Sequence, residues 1–481
     1  MDDGLAYSAP EAQGIASTAI VSFIAAAEAQ VDALHSFMLI RHGHVVAEGS
    51  WFPYAAGRHQ MMFSVSKSFT STAIGLAVAD GLLSVEDPVT SFFPDIVAEP
   101  SGNLAAMRVK HLLTMTTGHA QDTTERLHER PDGDWVRAFF DRPVEHEPGT
   151  FFVYNSGASY ILSAIVQRLT GVTLLDYLRP RLFEPLGITG VSWDTCPKGI
   201  TIGGWGLNLR TPDLARFGQL YLNNGVWRGR QLVPAQWCAE ATAAQADNDI
   251  GEAPADWRQG YGYQFWRCRH GAYRADGAFG QFCLVMPEQD AVLAITGGLS
   301  DMQRVLDLIW EHLLPAMAAT ALPGAGAAEQ ALRQRLDGLR LPAQKGKPSA
   351  LASTVSGRTY TVSTATSQRS GHLPAINTIT FAEYAGRWRV TIADEEGTND
   401  YECGDGEWQL GTMTMSGWDG VTATSGGWTA DDTFVMRVYL PQTPFERTCT
   451  FRFEGAGLTL AVADNVSFGP TEHPPIYATA N

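Results

Sequence analysis

The composition of the chain changes near residue 316, and that break constrains the fold more than any other feature of the sequence. Before it, Ala-rich segments with apolar residues three and four apart alternate with continuous apolar runs. After it, short runs rich in Thr, Trp, Tyr and Val are separated by glycine-bearing turns. Residues 316–350 themselves are dominated by Ala, Gly and Pro. Pro323, Pro342 and Pro348 prevent one continuous element there, although Glu329–Leu336 has the pattern of a helical turn or two. A single hydrophobic core stops growing near ~250–300 residues, so a chain of 481 residues is expected to divide at this tract. The expectation is a larger domain over 1–315, a linker over 316–350 and a smaller all-β domain over 351–481.

Within the first part, Thr18–Val31 carries Ile20, Phe23, Ile24 and Ala27 at helical spacing, and a hairpin turning at His42-Gly43 follows it. A helix is predicted from Ser64 to a left-handed cap at Gly81, and another from Ser156 to Gly171. Strands are predicted over Tyr261–Arg267, Ala272–Asp276, Gln281–Met286 and Ala291–Ile295, then a helix over Met302–Leu314. Helices followed by antiparallel strands and a returning helix give an α+β order, an antiparallel sheet flanked by helices. In the last part, runs such as Thr378–Phe381, Phe434–Leu440 and Thr448–Phe453 predict a β-barrel or sandwich, with turns at Gly397 and over Gly417–Gly420.

Thirty-four Lys and Arg against 51 Asp and Glu give a formal charge of −17. Such a field repels phosphate backbones and anionic lipid surfaces, which argues against nucleic-acid and membrane partners and leaves a small molecule or short peptide as the expected ligand. The first residues carry neither a basic stretch nor an apolar run, so a cytoplasmic location is expected. Six cysteines without C-x-x-C spacing read as reduced packing residues. No H-E-x-x-H, G-x-S-x-G, P-loop or dinucleotide fingerprint occurs, and His42-Gly43-His44 lacks partner ligands, so neither metal nor organic cofactor is expected. Oligomeric state is not encoded legibly.

The chemistry-bearing motif is Ser64-Val65-Ser66-Lys67. At the start of a helix this spacing puts a hydroxyl and an amine one turn apart on one face. Serine needs a base to become a nucleophile. A lysine serves only if desolvation and the positive end of a helix dipole draw its pKa toward neutrality. The plainer alternative makes Ser64 a helix cap and Lys67 a solvated first-turn residue.

The string Met62–Gly75, with Asp80-Gly-Leu-Leu-Ser-Val-Glu-Asp-Pro-Val, Val109–Gly118, Tyr154-Asn155-Ser156 after Pro148-Gly149-Thr150-Phe151, and Ala275–Gln281, resembles the serine β-lactamase and penicillin-recognising hydrolase family, close to its class C and esterase branch. The resemblance spans about residues 10–315. It implies Ser64 as nucleophile, Lys67 as base or base partner, Tyr154 as the phenol that moves protons to and from the leaving group, and the backbone N–H groups of Ser64 and Ala278 as the oxyanion site. Ser156, Asp276 and Gly277 fall at substrate-binding positions. Two positions depart from the family pattern. Ser156 replaces an Asn, and a hydroxyl can still bond Lys67. Ala275 stands where a Lys or His normally opens the third motif, with acidic Asp276 next to it, and this weakens the case for carboxylate-bearing substrates such as penicillins. The reading is therefore a serine hydrolase of the carboxylesterase or small amidase/aminopeptidase type. β-Lactamase, acyltransferase and a non-catalytic binding protein of the same fold are the alternatives. The appended β-domain loosely resembles the lipocalin-like domains attached to some D-aminopeptidase and peptide-cyclising relatives.

Overall fold

A computed structural model describes residues 4–249, 251–368, 373–415 and 418–481. The first part is built on a seven-stranded sheet in the order Ala6–Tyr7, His44–Ser50, Leu34–Arg41, Ala291–Gly297, Gln281–Met286, Tyr273–Gly277, Trp266–Arg267. Its strands pair antiparallel except the first, which lies parallel to His44–Ser50. The central strands are buried along their whole length. They read as continuous apolar runs rather than alternating ones because both faces of the sheet are covered.

On one face the helix Ser17–Gln30 and the segment Met302–Leu313 pack Ile20, Phe23, Ile24, Leu306 and Ile309 against Phe37, Leu39, Leu284 and Leu293. On the other, Thr211–Leu222 lies against the sheet beneath a helical layer that includes Ser66–Ala79 and Ser156–Thr170. Ser66–Ala79 is buried nearly all round, as a central helix between two layers must be. Gly75 allows it to approach Trp237, since a Cβ there would meet the indole at 2.4 Å.

Three expectations for this part are corrected. The predicted strand Tyr261–Arg267 is a strand only at Trp266–Arg267, because Gln264 takes a left-handed backbone, φ 63°, and turns the chain. Ser64 does not begin the long helix. It sits inside a 3-10 turn, Phe63–Val65, that leads into Ser66–Ala79. The returning helix is α-helical over Met302–Leu308 and widens to a π-turn over Ile309–Leu313.

The linker tract carries a full helix, Gly326–Asp337, longer than the one or two turns expected, and it packs on Ser17–Gln30 with Leu332 buried. Leu341 N donates to Phe52 O, and Leu341 O accepts from Trp408 Nε1, so the tract touches both parts of the molecule.

The last part is a ten-stranded antiparallel sheet, from Thr398–Cys403 at one end to Gln409–Met415 at the other. It curls until those ends meet. The Asn399 side chain bridges them, donating to Thr414 O and accepting from Thr414 N. The result is a nearly closed barrel rather than a sandwich, and the bridge satisfies edge groups that a free strand would expose. Its core is aromatic, with Phe381, Phe434, Phe451 and Phe453 around Tyr360 and Trp428. The turn expected over Gly417–Gly420 falls partly outside the described residues at Gly417, and Trp418–Ala430 is a strand. Among the described residues no single helix is long and apolar enough to cross a membrane, and the six cysteines are free and buried.

Candidate active site

Ser64, Tyr154, Ser156, Asp276 and Ala278 line one cleft of about 1290 Å³. Lys67 lies beneath its floor, with 1% of its surface exposed. The end of the strand Tyr273–Gly277 brings Ala278 to the nucleophile. A Cβ on Gly277 would fall 2.3 Å from Met62 O, so only glycine lets the strand close on the backbone that carries Ser64. Tyr154 and Ser156 are set by Asn155, which caps the helix Ser156–Thr170 by accepting from Ala158 N and is held by Thr123 N–H and Oγ1.

Lys67 Nζ is 3.0 Å from Ser64 Oγ, 3.0 Å from Ser156 Oγ and 2.8 Å from Gly204 O. Burial draws its pKa from 10.5 down to about 7, against the opposing pull of Asp122 and Asp276. A neutral amine has two N–H donors and one lone pair. Gly204 O can only accept and the Ser156 hydroxyl can accept, so the lone pair is left facing the Ser64 hydroxyl. The solvated first-turn reading of Lys67 does not describe this geometry.

Tyr154 is hydrogen-bonded to Ser64, and burial raises its pKa far above that of a free phenol. Its ring lies 4.7 Å from Lys67 Nζ and stacks on Trp266 at 5.3 Å. Near neutral pH this phenol keeps its proton, and the buried amine of Lys67 is the nitrogen beside Ser64 Oγ.

Asp276, which the resemblance puts at a substrate-binding position, is not a free carboxylate. It is 8% exposed, accepts from Arg274 Nε at 2.8 Å and has Arg274 Nη2 at the same distance as an ion pair. Arg274 is itself buried, also donates to Asp256 O, and lies against Trp257. Burial raises the Asp276 pKa, and Arg274 limits the rise. The cation absent from position 275 is thus present one residue earlier but committed to an ion pair. Ala275 is a buried strand residue.

Several site residues escaped the sequence reading. Asp122 Oδ1 accepts from Ser156 N at 3.0 Å and helps hold that residue beside Lys67. Gly203-Gly204-Trp205 supplies the carbonyl on Lys67, while Trp205 lines the cleft. Trp266 also lines it. Phe468 reaches it from the barrel, a contact with no sequence signal at all. Among the described lining residues Asp122, Glu125, Asp276 and Asp301 are acidic and none is Lys, Arg or His. No cluster of three His, Cys, Asp or Glu among the described residues is placed to hold a metal ion.

The beta-lactamase family model matches residues 27–314. Over 278 residues the chain is 25% identical to the 6-aminohexanoate-dimer hydrolase of Paenarthrobacter ureafaciens, covering 54% of this chain and 71% of that enzyme. It is 30% identical to the lovastatin esterase of Penicillium rubens over 149 residues, 26% of this chain and 37% of the esterase. Among solved structures, the octameric penicillin-binding protein homologue from Pyrococcus abyssi superposes with a TM-score of 0.50 at 18% identity, over 96% of this chain and 98% of that one. That likeness concerns the fold alone.

Proposed function

The chain belongs to the beta-lactamase family, and from that premise we propose that it is a serine hydrolase cleaving ester or amide bonds of neutral or cationic substrates through an acyl-enzyme on Ser64. The observation that carries this reading is the position of Lys67, buried with a pKa of about 7 and 3.0 Å from Ser64 Oγ. Lys67 takes the Ser64 proton as Oγ attacks the substrate carbonyl carbon. The carbonyl oxygen becomes an oxyanion held by the N–H groups of Ser64 and Ala278. Collapse expels the leaving group, which receives a proton from Tyr154 Oη, and the Lys67 ammonium reprotonates Tyr154. Water then attacks the acyl-enzyme, gives its proton to the same Lys67–Tyr154 pair, and releases the acid and Ser64.

The cleft lining favours neutral or cationic substrates, because a carboxylate-bearing one would meet Asp122, Glu125 and Asp301 besides the ion-paired Asp276, and no unpaired cation among the described lining residues. Esterase and amidase relatives support both bond types. The test is labelling by a fluorophosphonate, compared with Ser64→Ala, alongside turnover of p-nitrophenyl esters, aminoacyl anilides and nitrocefin. Labelling lost in Ser64→Ala, with esters or anilides ahead of nitrocefin, is expected. No labelling of the native protein refutes the enzyme reading, and nitrocefin as much the best substrate refutes the charge argument.

A further inference from the structure

Two bulky residues, Phe63 in the cleft lining and Phe279 next to the lining residue Ala278, have backbone angles in the left-handed region, φ 46° and φ 64°. Such a conformation persists in a large side chain only where the surroundings over-determine it. Each of the two adjoins a residue whose N–H the proposed mechanism assigns to the oxyanion. The Ser64 N–H belongs to the Phe63–Ser64 peptide, so rotation about Phe63 turns it directly. Phe279 follows Ala278 in the tight turn between two sheet strands.

The two rings meet edge to face at 5.5 Å, and both are covered by rings from the barrel. Phe445 lies 6.4 Å from Phe63 and 5.9 Å from Phe279, and Phe468 lies 5.9 Å and 4.8 Å from the same pair. All are within the range of favourable aromatic pairing. The barrel loops that carry them are anchored. Gln442 O accepts from Met61 N, Thr443 O from Tyr54 Oη and Pro441 O from Gln60 Nε2. Asn465 ties the two loops together through Pro444 O and Glu446 N.

We propose that Phe445 and Phe468 are positioning residues, through which the C-terminal barrel clamps Phe63 and Phe279 and so fixes the oxyanion-binding N–H groups of Ser64 and Ala278. The barrel is then part of the active site although it supplies none of the reacting groups. This rests on the acyl-enzyme reading above.

The experiment uses the full-length protein and a p-nitrophenyl ester. Losing one oxyanion donor costs about 10²–10³ in kcat, so misdirecting one in Phe445→Ala is expected to lower kcat by about 10–100-fold with KM within about threefold. The affinity for a boronate that forms a tetrahedral adduct on Ser64 is expected to fall in parallel. Phe451→Leu, in the barrel core away from the cleft, controls for general destabilisation and is expected to keep native kcat. Phe468→Ala, at a ring 77% exposed, is a second variant that leaves the core untouched, with a several-fold loss of kcat expected. Native kcat in a folded Phe445→Ala overturns the proposal, as does an equal loss in Phe451→Leu. Should Phe445→Ala fail to fold, native kcat in Phe468→Ala overturns it. A native protein that neither turns over an ester nor reacts with fluorophosphonate overturns the acyl-enzyme reading, and the clamp with it.

Discussion

Replacing Lys67 with methionine is expected to abolish acylation and yet stabilise the protein at neutral pH. The folded chain holds this lysine with a pKa of about 7 where its ordinary value is 10.5. Between those values the unfolded chain keeps the proton and the folded chain does not, so stability rises with pH across that window. The penalty is fully present below pH 7 and gone above about 10.5. At ~1.36 kcal/mol per pH unit it amounts to about 4 kcal/mol at pH 7 and about 1 kcal/mol at pH 9.5. Methionine is apolar, of similar length, and removes it. The same change loses the bonds from Nζ to Ser64, Ser156 and Gly204, at about 1 kcal/mol each. The difference is a gain of about 1 kcal/mol at pH 7 that becomes a loss of about 2 kcal/mol at pH 9.5. Urea unfolding of native and Lys67→Met protein at the two pH values measures both. A variant destabilised equally at pH 7 and pH 9.5 refutes a lysine held near neutrality, and with it the assignment of Lys67 as the base.

The wild-type rate of acylation is expected to rise with pH through about 7 and then level off, as Lys67 loses its proton. In Asp122→Asn that limb moves to lower pH, because the carboxylate raises the Lys67 pKa and the amide oxygen still accepts from Ser156 N; a pH–kcat/KM profile reads the shift. Tyr154→Phe is expected to lower kcat by about 10²-fold or more on anilides and much less on p-nitrophenyl esters, whose leaving group needs no proton, which a comparison of the two substrates checks. Gly277→Ala is expected to abolish ester turnover and cost about 1–3 kcal/mol, since its Cβ would lie 2.3 Å from Met62 O; turnover assays and thermal unfolding report the two effects.

What the sequence made legible follows from how local each signal is. Ser64 and Lys67 sit one turn apart on the same stretch of backbone, so their spacing already implied the contact that the structure shows at 3.0 Å. The sheet strands Gln281–Met286 and Ala291–Gly297 announce themselves as continuous apolar runs because both of their faces are covered. Trp418–Ala430 did the opposite. Its Gly420 reads as a turn residue, while Gly426 and Gly427 stand where Cys403 and the linker backbone at Gly346 crowd a side chain. Thr398–Cys403 was missed for a related reason. Its apolar signal is thin, and the buried positions are Asn399, Tyr401 and Cys403.

The same distinction explains the site. A glycine pattern states that something is close without saying what, and Gly204 and Gln264 take their roles from partners far along the chain. Gln264 Nε2 donates to Leu112 O and Leu113 O, and its Oε1 accepts from Ser159. That network needs the left-handed turn which ended the strand expected at Tyr261. Charge carries the sharpest case. Read along the sequence, Asp276 is an acidic residue beside Ala275, where the family pattern has a cation. The strand register turns Arg274 and Asp276 to the same face, two residues apart, and the pair neutralises itself under Trp257. The acidic character of the cleft therefore comes from Asp122, Glu125 and Asp301, which the fold gathers from distant segments. The proposed preference for neutral or cationic substrates then rests on those three residues rather than on Asp276. Charge at a site is set by which ions remain unpaired after folding, and only the pairing geometry reveals that.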